Sequence, residues 1–245
     1  MKKLLKIIKW GILIALAVIV LAFTEKRQGE QLVQSYQIDI EISEDKFLDT
    51  NIILQYIEAH NFHFDSVALP QFYLNDLEEI LLKHPAVKKA EVYSNQQGLM
   101  NIKLQQRKAI VRIKTAAADY YLDEDGLKMP LSKEYTPRVI VVSGDANQKH
   151  HASIYAFIQI INKSEFWRSQ IMQLHFLGDK VILIPRVGNQ KIHFGRLVNS
   201  TKKLENLYQF YKQAMPVKGW QTYSDISLKY NNQIVCTKKI RNGGK

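Results

Sequence analysis

The 245-residue sequence predicts an α+β protein carried on a single N-terminal transmembrane helix. Three observations point there. A lysine-rich start runs straight into an uncharged apolar stretch. A strand–helix–helix–strand–strand pattern fills about the next seventy residues. The remainder mixes strands with two amphipathic helices and closes on a strand hairpin.

The start comes first. Lys2, Lys3, Lys6 and Lys9 precede Trp10 to Phe23, which holds no charged residue. At ~1.5 Å per residue that apolar run covers only ~21 Å, short of a ~30 Å hydrocarbon core. Counted from Leu4, with Lys6 and Lys9 bending their ammonium groups back to the headgroups, residues 4–23 reach ~30 Å. The positive flank keeps residues 1–9 as a cytoplasmic tail and sends the chain after Phe23 outward. A cleaved signal peptide is the rival reading, but Leu21 to Arg27 offers no good small-x-small pair for cleavage.

The formal charge is +11, and the excess of base persists when the four anchor lysines are set aside. On a translocated body it points to anionic lipid or an acidic partner rather than to nucleic acid. The single cysteine, Cys236, excludes an intrachain disulfide and any multi-cysteine metal site.

Residues 24–35 read as a polar linker. Tyr36, Ile38, Ile40 and Ile42 alternate with Gln37, Asp39 and Glu41, the pattern of a half-buried strand. Asp49 or Thr50 caps a helix with Ile53, Tyr56, Ile57 and His60 at helical spacing. Asn75 with Glu78 reads as a capping box, Leu74, Leu77 and Leu81 as a stripe, and Pro85 as the stop. Val87, Ala90 and Val92, a turn over Ser94 to Gly98, then Met100, Ile102 and Leu104 make a hairpin.

Strand–helix–helix–strand–strand is the POTRA order. The run His84-Pro85-Ala86-Val87-Lys88-Lys89-Ala90-Glu91-Val92, followed by Leu99 to Arg107, resembles the hP-x-V-x-x-A-x-V … L-x-I-x-L-x-x-R pattern of the bacterial cell-division FtsQ/DivIB family. The chain differs in reading Arg107-Lys108-Ala109-Ile110 where that family has a nearby proline. The resemblance implies a POTRA domain over 36–107, an FtsQ-type β domain over 108–238 and a basic tail at 239–245.

The likeness continues in the β domain. Tyr120 to Gly126 resembles the family's x-ID-x-x-G hairpin, followed by Pro130 and then the run Val139 to Gly144. Ile154, Phe157, Ile158 and Ile161 stripe a helix. Strands follow at 171–176, 181–184 and 191–194. Ser200 caps a long helix carrying Leu204, Leu207, Tyr208, Tyr211 and Met215, stopped by Pro216. Ile226, Leu228 and Tyr230, then Asn231-Asn232, then Ile234-Val235-Cys236 form the last hairpin. Its Ile226-Ser227-Leu228-Lys229-Tyr230 resembles the family's closing x-D-L-R-Y strand.

Motifs that would carry chemistry are missing. Aligning Gly126 with position six of a calcium loop puts Tyr121 first and Ser132 twelfth, so Asp123 to Gly126 is a tight turn. His60 and His63, and His150 and His151, lack the spacing of a zinc-helix motif, and there is no GxSxG, GxxxxGK[ST] or GxGxxG. The sequence therefore gives no catalytic, cofactor-binding or metal residue, and the expectation is a non-enzymatic protein.

Function then falls on surfaces for partners. An edge strand offers unpaired N–H and C=O groups to a strand from another chain. The resemblance implies that the C-terminal strand region receives FtsB- and FtsL-like coiled-coil proteins. By position the receiving residues are Ile226, Leu228, Tyr230, Asn232, Ile234 and Cys236, with other divisome components meeting the POTRA domain. The expected protein is a single-pass scaffold of the inner membrane at the septum, its body outside the cytoplasm. The alternative is a cleaved, secreted envelope enzyme or wall-modifying factor.

Overall fold

The computed structural model describes residues 9–19, 35–42, 46–63, 71–95, 98–133, 135–230 and 233–239. The chain divides into two units, Met1–Arg107 and Lys108–Lys245.

Residues 9–19 form helix α1, on which Trp10, Ile12, Leu13 and Leu16 are each more than half exposed. Among the described residues no helix is long and apolar enough to cross a membrane. The expected span 4–23 runs past α1 at both ends, so residues 4–8 and 20–23 lie outside the described residues. So do all of the 24–35 linker but Ser35, and all of the 239–245 tail but Lys239.

The first unit follows the expected POTRA order: β1 (Ser35–Ile40), α2 (Thr50–Ala59), α3 (Gln71–Leu82), β2 (Val87–Ser94) and β3 (Leu99–Gln106). Its sheet runs β1-β3-β2, with β1 parallel and β2 antiparallel to β3. Alternation along β3 puts Met100, Ile102 and Leu104 in a core shared with Ile53 and Ile57 of α2 and Leu74, Leu77 and Leu81 of α3. Asp49 caps α2, its Oδ1 accepting from the Ile52 amide at 2.8 Å. The loop before it is held from inside: the buried Gln106 Oε1 accepts from the Phe47 and Leu48 amides at 3.1 and 3.3 Å. Asn95 Oδ1 accepts from the Leu99 amide, and Gly98 takes the positive φ that closes the hairpin.

Two expectations in this unit are corrected. The first strand ends at Ile40, and Ile42 is fully exposed because the ladder stops with the Glu41 amide on the Leu104 carbonyl. There is no capping box at Asn75, because α3 already runs from Gln71. Glu78 instead accepts from the Val92 amide of β2 at 3.3 Å, tying helix to sheet.

The second unit is a nine-stranded sheet with helices. It comprises β4 (Ala109–Lys114), β5 (Asp119–Asp123), β6 (Lys128–Met129), β7 (Ile140–Gly144), α4 (His151–Asn162), α5 (Glu165–Gln170), β8 (Ile171–Leu177), β9 (Lys180–Pro185), β10 (Lys191–Gly195), α6 (Ser200–Lys218), β11 (Tyr223–Ser227) and β12 (Val235–Lys238). The sheet order is β12-β11-β10-β9-β8-β7-β4-β5-β6. The α4 stripe of Ile154, Phe157, Ile158 and Ile161 is fully buried with Leu174, Leu183, Phe194, Leu204, Leu207 and Ile226 in one apolar cluster. Asp123 makes the expected turn, its buried carboxylate accepting from the Asp125 and Leu127 amides while Gly126 takes a φ of +76°.

The long helix is corrected at both ends. Ser200 is its first residue, not its cap; Asn199 holds that place in a left-handed conformation without a side-chain bond. Pro216 does not stop it. In the last turn a proline forfeits a single backbone bond, so α6 runs on to Lys218 and ends at Gly219 with a φ of +83°. The six-residue α5, capped by Ser164, adds a helix that the apolar periodicity does not mark.

Candidate partner-binding edge

The C-terminal hairpin owes its place to α6. A strand that follows a helical crossover comes back parallel, and β11 accordingly pairs parallel with β10, Ile192 opposite Ile226. The chain then turns back and β12 pairs antiparallel with β11, Cys236 opposite Ile226 and Thr237 opposite Asp225. β12 ends the sheet and, among the described residues, has a neighbour on one side only. The Lys239 amide bonds inward to the Thr222 carbonyl at 2.9 Å. Antiparallel alternation then turns the main-chain groups of Cys236 and Lys238 away from β11.

Five of the six expected contact residues are described, and they separate into three groups. Ile226 and Leu228 are buried core side chains. Ile226 lies in β11, whose two edges are already taken by β10 and β12, and the Leu228 amide bonds to the His193 carbonyl at 2.9 Å. Ile234 and Cys236 are half-buried and pack on the core cluster. Tyr230 is 56% exposed but lies in a bend past the end of β11 at Ser227, not in a closing strand. Asn232 lies outside the described residues. Among the described residues of the hairpin, the free edge is thus β12, four residues long, with Val235, Thr237 and Lys238 exposed.

Side-chain chemistry braces this edge. His193 Nε2 sits 2.7 Å from Asp225 Oδ1, and that hydrogen bond holds the Asp225 carboxyl below the usual carboxylate range. Burial pushes the Cys236 thiol up, away from the reactive thiolate. Burial also drives the Tyr211 phenol, beside Gln190, up to about 12. Lys239 Nζ donates to Gln221 Oε1 at 2.9 Å and to the Gly188 carbonyl at 3.4 Å, pinning the strand's far end. Neither His193–Asp225 nor the Lys239 tie has a sequence signal, since each depends on strands adjacent only after the crossover. Among the described residues no group of three or more His, Cys, Asp or Glu side chains could hold a metal ion. The arrangement is equipped to pair backbone and bury apolar side chains.

Known proteins resemble both units. A family model described as FtsQ/DivIB, C-terminal related, matches residues 108–237. A second, described as a POTRA-like domain, matches residues 32–105. Among solved structures the chain is similar to the major extracytoplasmic domain of the trans isomer of the bacterial cell division protein DivIB from Geobacillus stearothermophilus. That match has 14% identity and a TM-score of 0.26, and covers 32% of this chain and 71% of that one. No curated protein matches the chain.

Proposed function

The chain belongs to the FtsQ/DivIB family, and on that footing we propose that it is a non-enzymatic, membrane-anchored scaffold of bacterial cell division. Its anchor would be residues 4–23, its body would lie outside the cytoplasm at the septum, and its partners would be FtsB- and FtsL-like coiled-coil proteins. The POTRA-like unit would meet other division components.

One observation carries the partner reading: among the described residues, β12 ends the nine-stranded sheet with one neighbour. An incoming strand can take up the outward main-chain groups of Cys236 and Lys238. Each new bond adds ~1 kcal/mol net, so a few of them with apolar anchors at Val235 and Tyr230 give reversible affinity. Ile226 and Leu228 support the strand from the core rather than touching the partner.

A single substitution tests this. Proline is tolerated on an edge strand where its nitrogen faces away from the sheet, so Lys238→Pro removes an outward donor and leaves the β11 pairing intact. Co-purification of the FtsB/FtsL-like pair with Lys238→Pro should fall about tenfold with membrane insertion unchanged, the equivalent of roughly 1.4 kcal/mol. Retention of the pair at full yield would sink the edge-strand reading.

A further inference from the structure

A second surface lies within the Lys108–Lys245 unit. Between the α4–α5 corner and α6 runs an open groove of about 530 Å³. One wall is Ile160, Phe166 and Trp167; the other is Leu204 and Tyr208. Phe166 and Tyr208 meet edge to face across it, with ring centroids 5.1 Å apart. Trp167 and Leu204 are buried, whereas Tyr208 is 40% exposed.

Two features define what fits. Apart from the Lys163–Ser164 corner the walls are helical, and the main-chain groups inside α4 and α6 are spent within the helices, so the groove offers no continuous ladder to an incoming strand. An occupant must satisfy its own backbone and present apolar side chains, which is what a helix does. The rims also carry unspent charges of opposite sign. Lys163 on the α4 side and Glu205 on α6 are both exposed, and neither has an ion-pair partner among the described residues. The remaining polar lining groups are exposed or already used; Ser164 Oγ accepts from the Trp167 amide at 3.4 Å. Among the described residues lining the groove no polar side chain is buried, so none is set to orient a small polar ligand.

We propose that the groove receives an amphipathic helix from a partner chain, apolar ridge inward, with acidic residues along its Lys163 flank and basic residues along its Glu205 flank. The inference rests on the scaffold reading above and adds a helix-binding site apart from the β12 edge.

The test uses the full chain in nanodiscs and a synthetic helical peptide of ~18 residues, five turns. The peptide carries a leucine ridge at i, i+3, i+4 and i+7 spacing, glutamates on one flank and lysines on the other. A second peptide exchanges the flanks, and a third has serines in the ridge. Trp167 lies in the wall, so tryptophan fluorescence together with peptide anisotropy reads binding. The matched peptide should bind at least about tenfold more tightly than the serine-ridge peptide. Lys163→Glu combined with Glu205→Lys exchanges two exposed charges, and it should reverse the preference between flank orders by about fivefold. Equal binding of the serine-ridge peptide, or an unreversed flank preference, overturns the proposal. Self-association of the chain that excludes the peptide also overturns it, by giving the groove to a second copy. Binding should be unchanged in Lys238→Pro. Loss there would move the helix to the strand edge and overturn the groove alone, whereas normal FtsB/FtsL-like capture by Lys238→Pro would overturn the edge alone.

Discussion

Tyr120 and His151 show how one contact sets a pH response. Tyr120 Oη lies 2.5 Å from His151 Nε2, and Lys128 Nζ sits 4.5 Å from the tyrosine ring centre. The phenol has a proton to give and the neutral ring has a lone pair to receive it. Burial first, then the charges of Lys128 and His150, lowers the His151 pKa. The unfolded chain therefore binds more protons than the folded chain between the ordinary histidine value and the depressed one. Stability is full above that window, falls as pH drops through it and levels off below. The His151→Phe variant should show a shallower loss as pH falls below the ordinary histidine value of ~6.5 in urea titrations at stepped pH, and an unchanged slope would exclude this residue as a source. In the first unit the test is hydrogen bonding. Gln106→Leu withdraws the acceptor from two buried amides, those of Phe47 and Leu48. It should cost about 2–3 kcal/mol in denaturant unfolding, while Gln105→Leu, one residue away, should cost little.

At the level of elements, β7 ends where another backbone passes close by. Gly144 has a φ of +78°, and a Cβ built there would lie 2.1 Å from the Phe176 carbonyl oxygen. The Asp145 amide bonds to the same carbonyl at 3.0 Å, so the oxygen has little freedom to retreat. Gly144→Ala should destabilise the second unit by at least about 2 kcal/mol, seen as a lower Tm, whereas Gly178→Ala meets open space and bears only the backbone penalty. The same scale explains what could be read in the sequence. The stripes of α3, α4 and α6 were legible because Leu81, Phe157, Leu207 and their neighbours repeat at helical spacing and have nothing else to do. The start of α3 was missed because Asn75 and Glu78 imitate a cap. The available signal was Pro70 directly before Gln71. α5 is too short for periodicity, leaving only Ser164 and Glu165 to mark it. In the hairpin, the alternation of Ile226, Leu228 and Tyr230 outlasts the strand, and composition cannot say that the chain leaves its β12 partner after Ser227. The candidate edge was therefore legible as a region and illegible as a surface. Which residues face out depends on β10 lying beside β11, a pairing made across α6.

Across the whole molecule, the proposed anchor can be separated from the folded units. Replacing residues 1–23 with a cleavable signal peptide should leave an exported body with unchanged unfolding and no membrane retention, read by cell fractionation. Recruitment of membrane-bound partners should fall as well, because confinement to one plane raises their effective concentration. A body still held in the membrane fraction would deny residues 1–23 that role. The pairing of the first unit also has a consequence in time. Among the described residues β1 lies at the end of its sheet and pairs only with β3, Ser35 opposite Leu99. Ribosomes add ~5–20 residues per second, so β1 waits roughly 3–13 s after synthesis before its partner exists. Through that interval a strand bearing Tyr36, Ile38 and Ile40 has no sheet to join. Asp39, between Ile38 and Ile40, and Glu41, just past the strand's end, place charge where β1 would otherwise self-associate. They act as gatekeepers during biogenesis, a duty that ends once β3 arrives.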